Sequence, residues 1–207
     1  MKVVFMQDQT GSTNWTRTPQ VLPSDFEPLR EVFRRQGGEA ALGLIRDDSN
    51  RGLVRKRFPA PLPKPQPPVE NDDIFEDAEA ADNFQKQIVQ WERDCALREK
   101  QIDQLFTDFL AEIKPLLEQK ANARRTDVWS AVTRGDLCLN EGNAGWPQPT
   151  HRYLVLVTDG LDNVGKSRAA FKSGARVLLV NGSATVGSLA SLNPDRFESV
   201  RAAIQEI

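Results

Sequence analysis

Histidine, tyrosine and cysteine are nearly missing from this chain. Its 207 residues include one histidine, His151, one tyrosine and two cysteines, Cys95 and Cys138. A single histidine excludes a histidine-rich zinc centre. With no base partner in sequence reach, His151 reads as a strand-entry residue. The cysteines lie far apart and match no metal or disulfide spacing, so both read as free, packed thiols in a reducing compartment. No apolar run approaches the roughly 18 residues that a membrane span requires. A formal net charge of −2 offers no polyanion-binding signal, so nucleic acid is not an expected partner. The chain opens directly on a strand with only Lys2 before it, which does not resemble a signal peptide. These absences together lead us to expect a soluble cytoplasmic protein with neither membrane nor nucleic acid as partner.

At this length the chain is most simply one domain, residues 1–207, carrying a substantial insertion. It can bury roughly 70% of its unfolded surface and needs no disulfide to hold together. Val3-Val4-Phe5-Met6-Gln7 is a mostly apolar, partly β-branched run that both faces of a sheet can bury. Ser24-Asp25-Phe26-Glu27 offers a capping box, with Pro28 as an alternative mark of the first helical turn. Phe26, Leu29, Val32 and Phe33 then recur at helical spacing until Gly37-Gly38. Ala40 to Ile45 and Leu53 to Phe58 read as two strands joined by the turn-rich 47–52 stretch, hence an antiparallel hairpin.

Tyr153 to Val157 is the clearest buried strand, and Val177 to Val180 is another. A helix from Val128 to about Leu139 and a short one around Ser167 to Lys172 precede these two strands. Asn193-Pro194-Asp195 is expected to start a final helix with Phe197, Val200, Ile204 and Ile207 on one face. Strands alternating with helices predict an α/β fold with a mainly parallel sheet, one antiparallel edge strand and helices on both faces.

The segment 59–120 departs from this pattern. Pro59 to Pro68 has six prolines in ten residues and reads as a stiff, extended linker. An acidic patch follows (Glu70, Asp72, Asp73, Glu76, Asp77), suited to the N-terminus of a helix. From about Asp77 to Lys120 there is no glycine. Phe84, Ile88, Trp91, Cys95, Ile102, Leu105, Phe109, Ile113 and Leu116 recur at three- and four-residue steps, with Arg98 where another apolar residue is due. Uninterrupted, such a helix spans roughly 65 Å, and Pro115 is expected to break or kink it near Lys114. Two dispositions are open: a bent pair of helices covering the sheet, or an arm projecting to a partner. A coiled coil formed by residues 77–120 of several copies is a further option.

The chemistry-bearing residues lie at strand ends. The first strand stops at Asp8-Gln9-Thr10-Gly11-Ser12, a carboxylate followed by hydroxyls at every second position. The strand at Tyr153–Val157 stops at Thr158-Asp159-Gly160-Leu161-Asp162-Asn163. Ligands of open α/β sheets sit outside the carboxyl ends of strands, and an all-oxygen set suits a hard cation. With Thr126 at a loop-to-helix junction between them, the set resembles the metal-ion-dependent adhesion site of the von Willebrand factor A domain family. The resemblance covers most of the chain except Pro59 to about Lys120. It implies a Rossmann-like fold and a metal site of Asp8, Thr10, Ser12, Thr126 and Asp159 that holds Mg2+, or Mn2+ or Ca2+. It further implies a protein partner that completes the metal shell with a carboxylate, an ATPase among the candidates, and no catalysis. Thr10 replaces that family's first serine, and Arg124 its usual glycine. Asp162 and Asn163 are expected to hydrogen-bond within their loop. The same two loops are also similar to the phosphorylation and metal loops of haloacid dehalogenase-type phosphotransferases, which would make Asp8 a nucleophile. Gln9 in place of that family's lysine, and the hairpin, count against that reading.

Overall fold

A computed structural model describes residues 1–16, 18–68, 74–141, 151–165, 171–181 and 187–207. Most of the expected helix around Ser167 to Lys172, most of the acidic patch and the 142–149 loop lie outside the described residues; Phe171 and Lys172 are described and are not helical.

A six-stranded sheet organises the fold, in the order β3 (Val54–Phe58), β2 (Gly38–Ile45), β1 (Lys2–Asp8), β4 (Arg152–Val157), β5 (Arg176–Val180) and β6 (Asp195–Phe197). β1 is central, flanked in parallel by β2 and β4. β5 and β6 extend the parallel order, and β3 is the antiparallel edge strand after β2. Every residue of β1 is buried, as expected for a strand covered on both faces.

The two-residue period of a strand assigns its side chains to two cores. On one face, Val3 and Phe5 join Phe26, Leu29 and Phe33, together with Phe58 and Phe106. Phe33 and Phe58 stack at 4.0 Å between centroids, and Phe5 meets Phe26 edge-on at 4.8 Å. Past the one-turn helix α1 (Thr13–Thr16), this face is covered by α2 (Glu27–Gln36), by α5 (Val200–Gln205) and by the second half of α3 (Ile74–Leu117). On the other face, Val4 and Met6 pack with Val128, Trp129 and Val132 of α4 (Val128–Asn140) and with Leu154 and Leu156. Gly135 permits that approach: a Cβ there would stand 2.6 Å from a Leu154 methyl.

α3 does not form the bent pair of helices expected of the long segment; its second half alone covers the sheet. It is one helix of 44 residues that continues through Pro115. Proline removes one hydrogen bond to a carbonyl four residues back, here that of exposed Ala111, one turn from the helix end. Water can replace that bond, so no break follows. From Ile102 onward the helix is a full core element: Ile102, Phe106, Phe109 and Ile113 are 0% exposed. From Glu79 to Gln101 no residue is buried, and Phe84, Ile88, Trp91 and Cys95 are only half-covered.

The proline-rich segment lies along this outer half. Leu62 O accepts from Trp91 Nε1 at 3.3 Å, and Lys64 sits over the Trp91 ring. Arg98, the polar break in the apolar stripe, donates to Pro59 O, Ala60 O, Arg34 O and Phe33 O. It ties the helix to the C-terminal carbonyls of α2 and to the strap.

Two further corrections concern the helix starts. Asn193-Pro194-Asp195 does not begin the last helix: Asp195–Phe197 pairs with β5 as β6, and α5 starts at Val200, capped by the Ser199 hydroxyl accepting from Ala202 N. Pro23–Phe26 is a short 3₁₀ turn, and Pro28 occupies the first turn of α2. Among the described residues, no helix is long and apolar enough to cross a membrane.

A candidate metal centre at the sheet's switch point

The chain leaves β1 toward β2 on one side and returns to β4 on the other, so the connections diverge between β1 and β4. Their carboxyl ends form the crevice where open α/β sheets place ligands. Gln7 pairs with Val157 in register, which brings Asp8 and Thr158 side by side at the next level.

Asp8 is 1% exposed and both of its oxygens are engaged. Oδ1 accepts from Thr10 N at 2.9 Å and from Thr10 Oγ1 at 2.6 Å, and Oδ2 accepts from Thr158 Oγ1 at 2.6 Å. Because the single Thr10 hydroxyl proton goes to Asp8, the 3.0 Å contact between Thr10 and Ser12 has Ser12 as donor. Burial pushes the Asp8 carboxyl above its ordinary pKa; the bonds from Thr10 and Thr158 oppose that shift, and the negative charge of Asp159 adds to it. Asp159 is itself 1% exposed. Its Oδ1 accepts from Leu161 N at 3.0 Å and its Oδ2 from Thr16 Oγ1 at 3.3 Å.

Thr126 reaches the same crevice by way of the segment after α3. Ala123 N donates to Gln9 O and Gly11 N donates to Ala123 O, which lays this segment alongside the Asp8 loop. Thr126, 1% exposed, is then held by the β4 loop: its N–H donates to Asn163 Oδ1 at 2.7 Å and its carbonyl accepts from Asn163 N at 3.2 Å. Asp162 Oδ1 accepts from Val128 N in the first turn of α4. Among the described residues, Asp162 and Asn163 bond across to the Thr126 segment. Asp127 is the α4 N-cap, accepting from Ser130 N, and its N–H reaches Arg46 O.

Three stretches thus converge: 8–12 from β1, 123–128 before α4, and 158–163 from β4. Asp8, Thr10, Thr126 and Asp159 are all buried there, with Ser12 half-buried beside Thr10. Thr158, Thr16, Asp162 and Asn163 were not singled out by sequence reasoning as parts of the site. For Thr16 the signal was the four-residue step that sets its hydroxyl 3.1 Å from Ser12 O. Arg124 and Arg125 are exposed, and Arg125 N donates to Asp47 Oδ1.

The donor chemistry fits a hard divalent cation. The negative charge of buried Asp159 adds to the cost of ionising Asp8, and hydroxyl oxygens with free lone pairs stand among them. Among the described residues, no group of three or more acidic, histidine or cysteine side chains stands together. Two carboxylates therefore form a partial shell, suited to a cation that keeps an open position.

No protein-family model, curated protein or solved structure matches this chain.

Proposed function

We propose that this chain is a von Willebrand factor A-like, Rossmann-like module that binds a protein partner through a divalent cation, Mg2+ being the expected ion. The observation that carries the reading is the convergence of buried Asp8 and Asp159, with hydroxyls from Thr10 and Ser12, at the switch point of a mainly parallel sheet. Asp8, Thr10, Ser12, Thr126 and Asp159 would hold the ion. When bound, it would supply positive charge and an open coordination position to an acidic side chain of the partner. The chain's own residues do the positioning. Thr158 and Thr10 hold the Asp8 carboxylate from both oxygens, Thr16 holds Asp159, and Asn163 clamps the Thr126 backbone. Such a module acts as an intracellular adaptor or scaffold, without catalysis.

The test is calorimetric titration of Mg2+, Mn2+ and Ca2+ into wild type and Asp8→Ala, with a phosphate-release assay on the same samples. Binding that disappears in the variant, with no phosphate released, is the expected result. Adding a glutamate-bearing peptide should tighten Mn2+ binding, because a shared ion couples the two affinities reciprocally. Asp8-dependent phosphate release would instead establish the phosphotransferase reading.

A further inference from the structure

β2 runs on beyond the strand that covers its outer edge. β3 pairs with it only as far as Leu42, whereas β1 pairs with it to Ile45. Ile45 O accepts from Gln9 N, so the peptide groups of Ile45 face β1. By alternation those of Leu44 face outward, where among the described residues no strand stands beside them. A cavity of about 240 Å³ lies at this edge, lined by Leu44, Leu53 and Leu116 together with Ser49, Gly52 and Gln119. The three leucines are half-buried, so each keeps accessible apolar surface. Covering that surface with an apolar group is favourable.

A second cavity of about 350 Å³ adjoins the first: Arg46, Asp48 and Arg51 line both. Arg124 also lines the second, and Arg51 and Arg124 are exposed. Among the described residues none of these three guanidiniums is ion-paired with a carboxylate; Arg46 donates to Gln119 Oε1. The acidic side chains at this rim are bonded to backbone instead. Asp47 Oδ1 accepts from Arg125 N, and Asp48 Oδ1 from Asn50 N. Three arginines against two aspartates leave an excess of positive charge, and a planar guanidinium matches a carboxylate with two parallel N–H groups. None of Asp8, Thr10, Ser12, Thr126 and Asp159 lines either cavity.

We propose that the two cavities form one binding site, separate from the metal centre, for the carboxyl-terminal end of a polypeptide whose last residue is aliphatic. The aliphatic side chain fills the leucine-lined cavity, and the terminal carboxylate meets Arg51 and Arg124. The peptide's own N–H and C=O groups pair with those of Leu44 at the open edge of β2. A free aliphatic acid uses the first two features and leaves the edge unpaired. An ammonium or guanidinium ligand is opposed by the arginines, and an inorganic anion brings nothing to cover the leucines.

The test is calorimetric titration of the full chain in chelator, so that a carboxylate has no metal to bind. The probes are acetyl-Ala-Ala-Leu with a free carboxyl terminus, its C-terminal amide, acetyl-Ala-Ala-Ser, and isocaproate as the free acid. The leucine peptide should bind, and its amide and the serine peptide should bind about tenfold more weakly or worse. The double variant Arg51→Ala/Arg124→Ala, changed only at exposed positions, should weaken the leucine peptide by about tenfold or more. Leu53→Ser should weaken it from the apolar side. Should Leu53→Ser fail to fold, the serine peptide on the wild-type protein reads the same requirement. The backbone amide resonance of Leu44 should move on addition of the leucine peptide. Tighter binding of isocaproate than of the peptide, or an unmoved Leu44 resonance, would overturn the assignment to a polypeptide end. No binding, equal affinity for acid and amide, or unchanged affinity in the arginine variant would overturn the site.

Discussion

Two buried carboxylates in this protein respond to pH in opposite senses. Asp8 has a raised pKa, first because burial disfavours its charge and further because Asp159 repels it. An acid that ionises less readily when folded costs stability once it is charged. The penalty is absent below its ordinary value near 3.8, grows as pH rises through the elevated one, and is complete above it. In chelator at pH 7, Asp8→Asn should therefore melt at or above wild type, with the gap closing toward pH 4. With Mg2+ the order should reverse, because only the wild type gains binding free energy. A variant that melts lower in both conditions would show that charge on Asp8 stabilises the empty fold. Glu39 behaves the other way. Burial alone would raise its pKa, but the hydrogen bond from Arg55 and the charge of Lys2 outweigh burial and lower it. Its contribution is present above its ordinary value and lost as pH falls through the lowered one. Lys2 and Glu39 are 3% and 4% exposed at 3.3 Å, so Glu39→Gln leaves a buried lysine without its counter-charge, held only by the Glu141 carbonyl. A loss of about 3 kcal/mol in urea unfolding at pH 7 is expected, shrinking at low pH.

At the scale of elements, what the sequence made legible divides by the strength of its local pattern. β1, β4 and β5 are continuous apolar runs, and their ends brought Asp8 and Asp159 into view without a structure. β6 was hidden because its three residues, Asp195–Phe197, are mostly polar and follow a proline that reads equally well as a helix start. Only pairing with β5, a tertiary fact, makes the segment a strand. The continuity of α3 through Pro115 was hidden for a related reason: a proline's cost depends on how close the helix end lies, which the sequence does not mark. Arg98 looked like a flaw in the apolar stripe and is instead its fastening. Its guanidinium bonds the Arg34 carbonyl in the last turn of α2, where the helix runs out of its own donors, along with the carbonyls of Pro59 and Ala60. Arg98→Met keeps the stem and removes every donor. It should cost about 2 kcal/mol and speed proteolysis within 59–68, while metal affinity stays unchanged. Unaltered proteolysis would mean that the strap is held by Trp91 and Leu62 alone.

For the whole molecule, burial separates a complete α/β body from an outer arm. The site's supports belong to the body: α3 after Ile102 covers one sheet face, and its exit segment delivers Ala123 and Thr126 to the switch point. The outer half contributes nothing buried between Glu79 and Gln90, so folding does not require it. Leu62 lies against Trp91, which brings the strap and the helix within reach of a short bridge. Replacing residues 64–90 by about six glycine and serine residues spans roughly 20 Å, enough to rejoin the chain there. The shortened protein should melt cooperatively within a few degrees of wild type and retain its metal affinity. Loss of cooperative melting would show that the arm is part of the folding unit. Sedimentation of both forms then reads the arm's own purpose. An assembly that falls to monomer on shortening assigns self-association to the half-covered face of Phe84 and Ile88, and equal masses would exclude it.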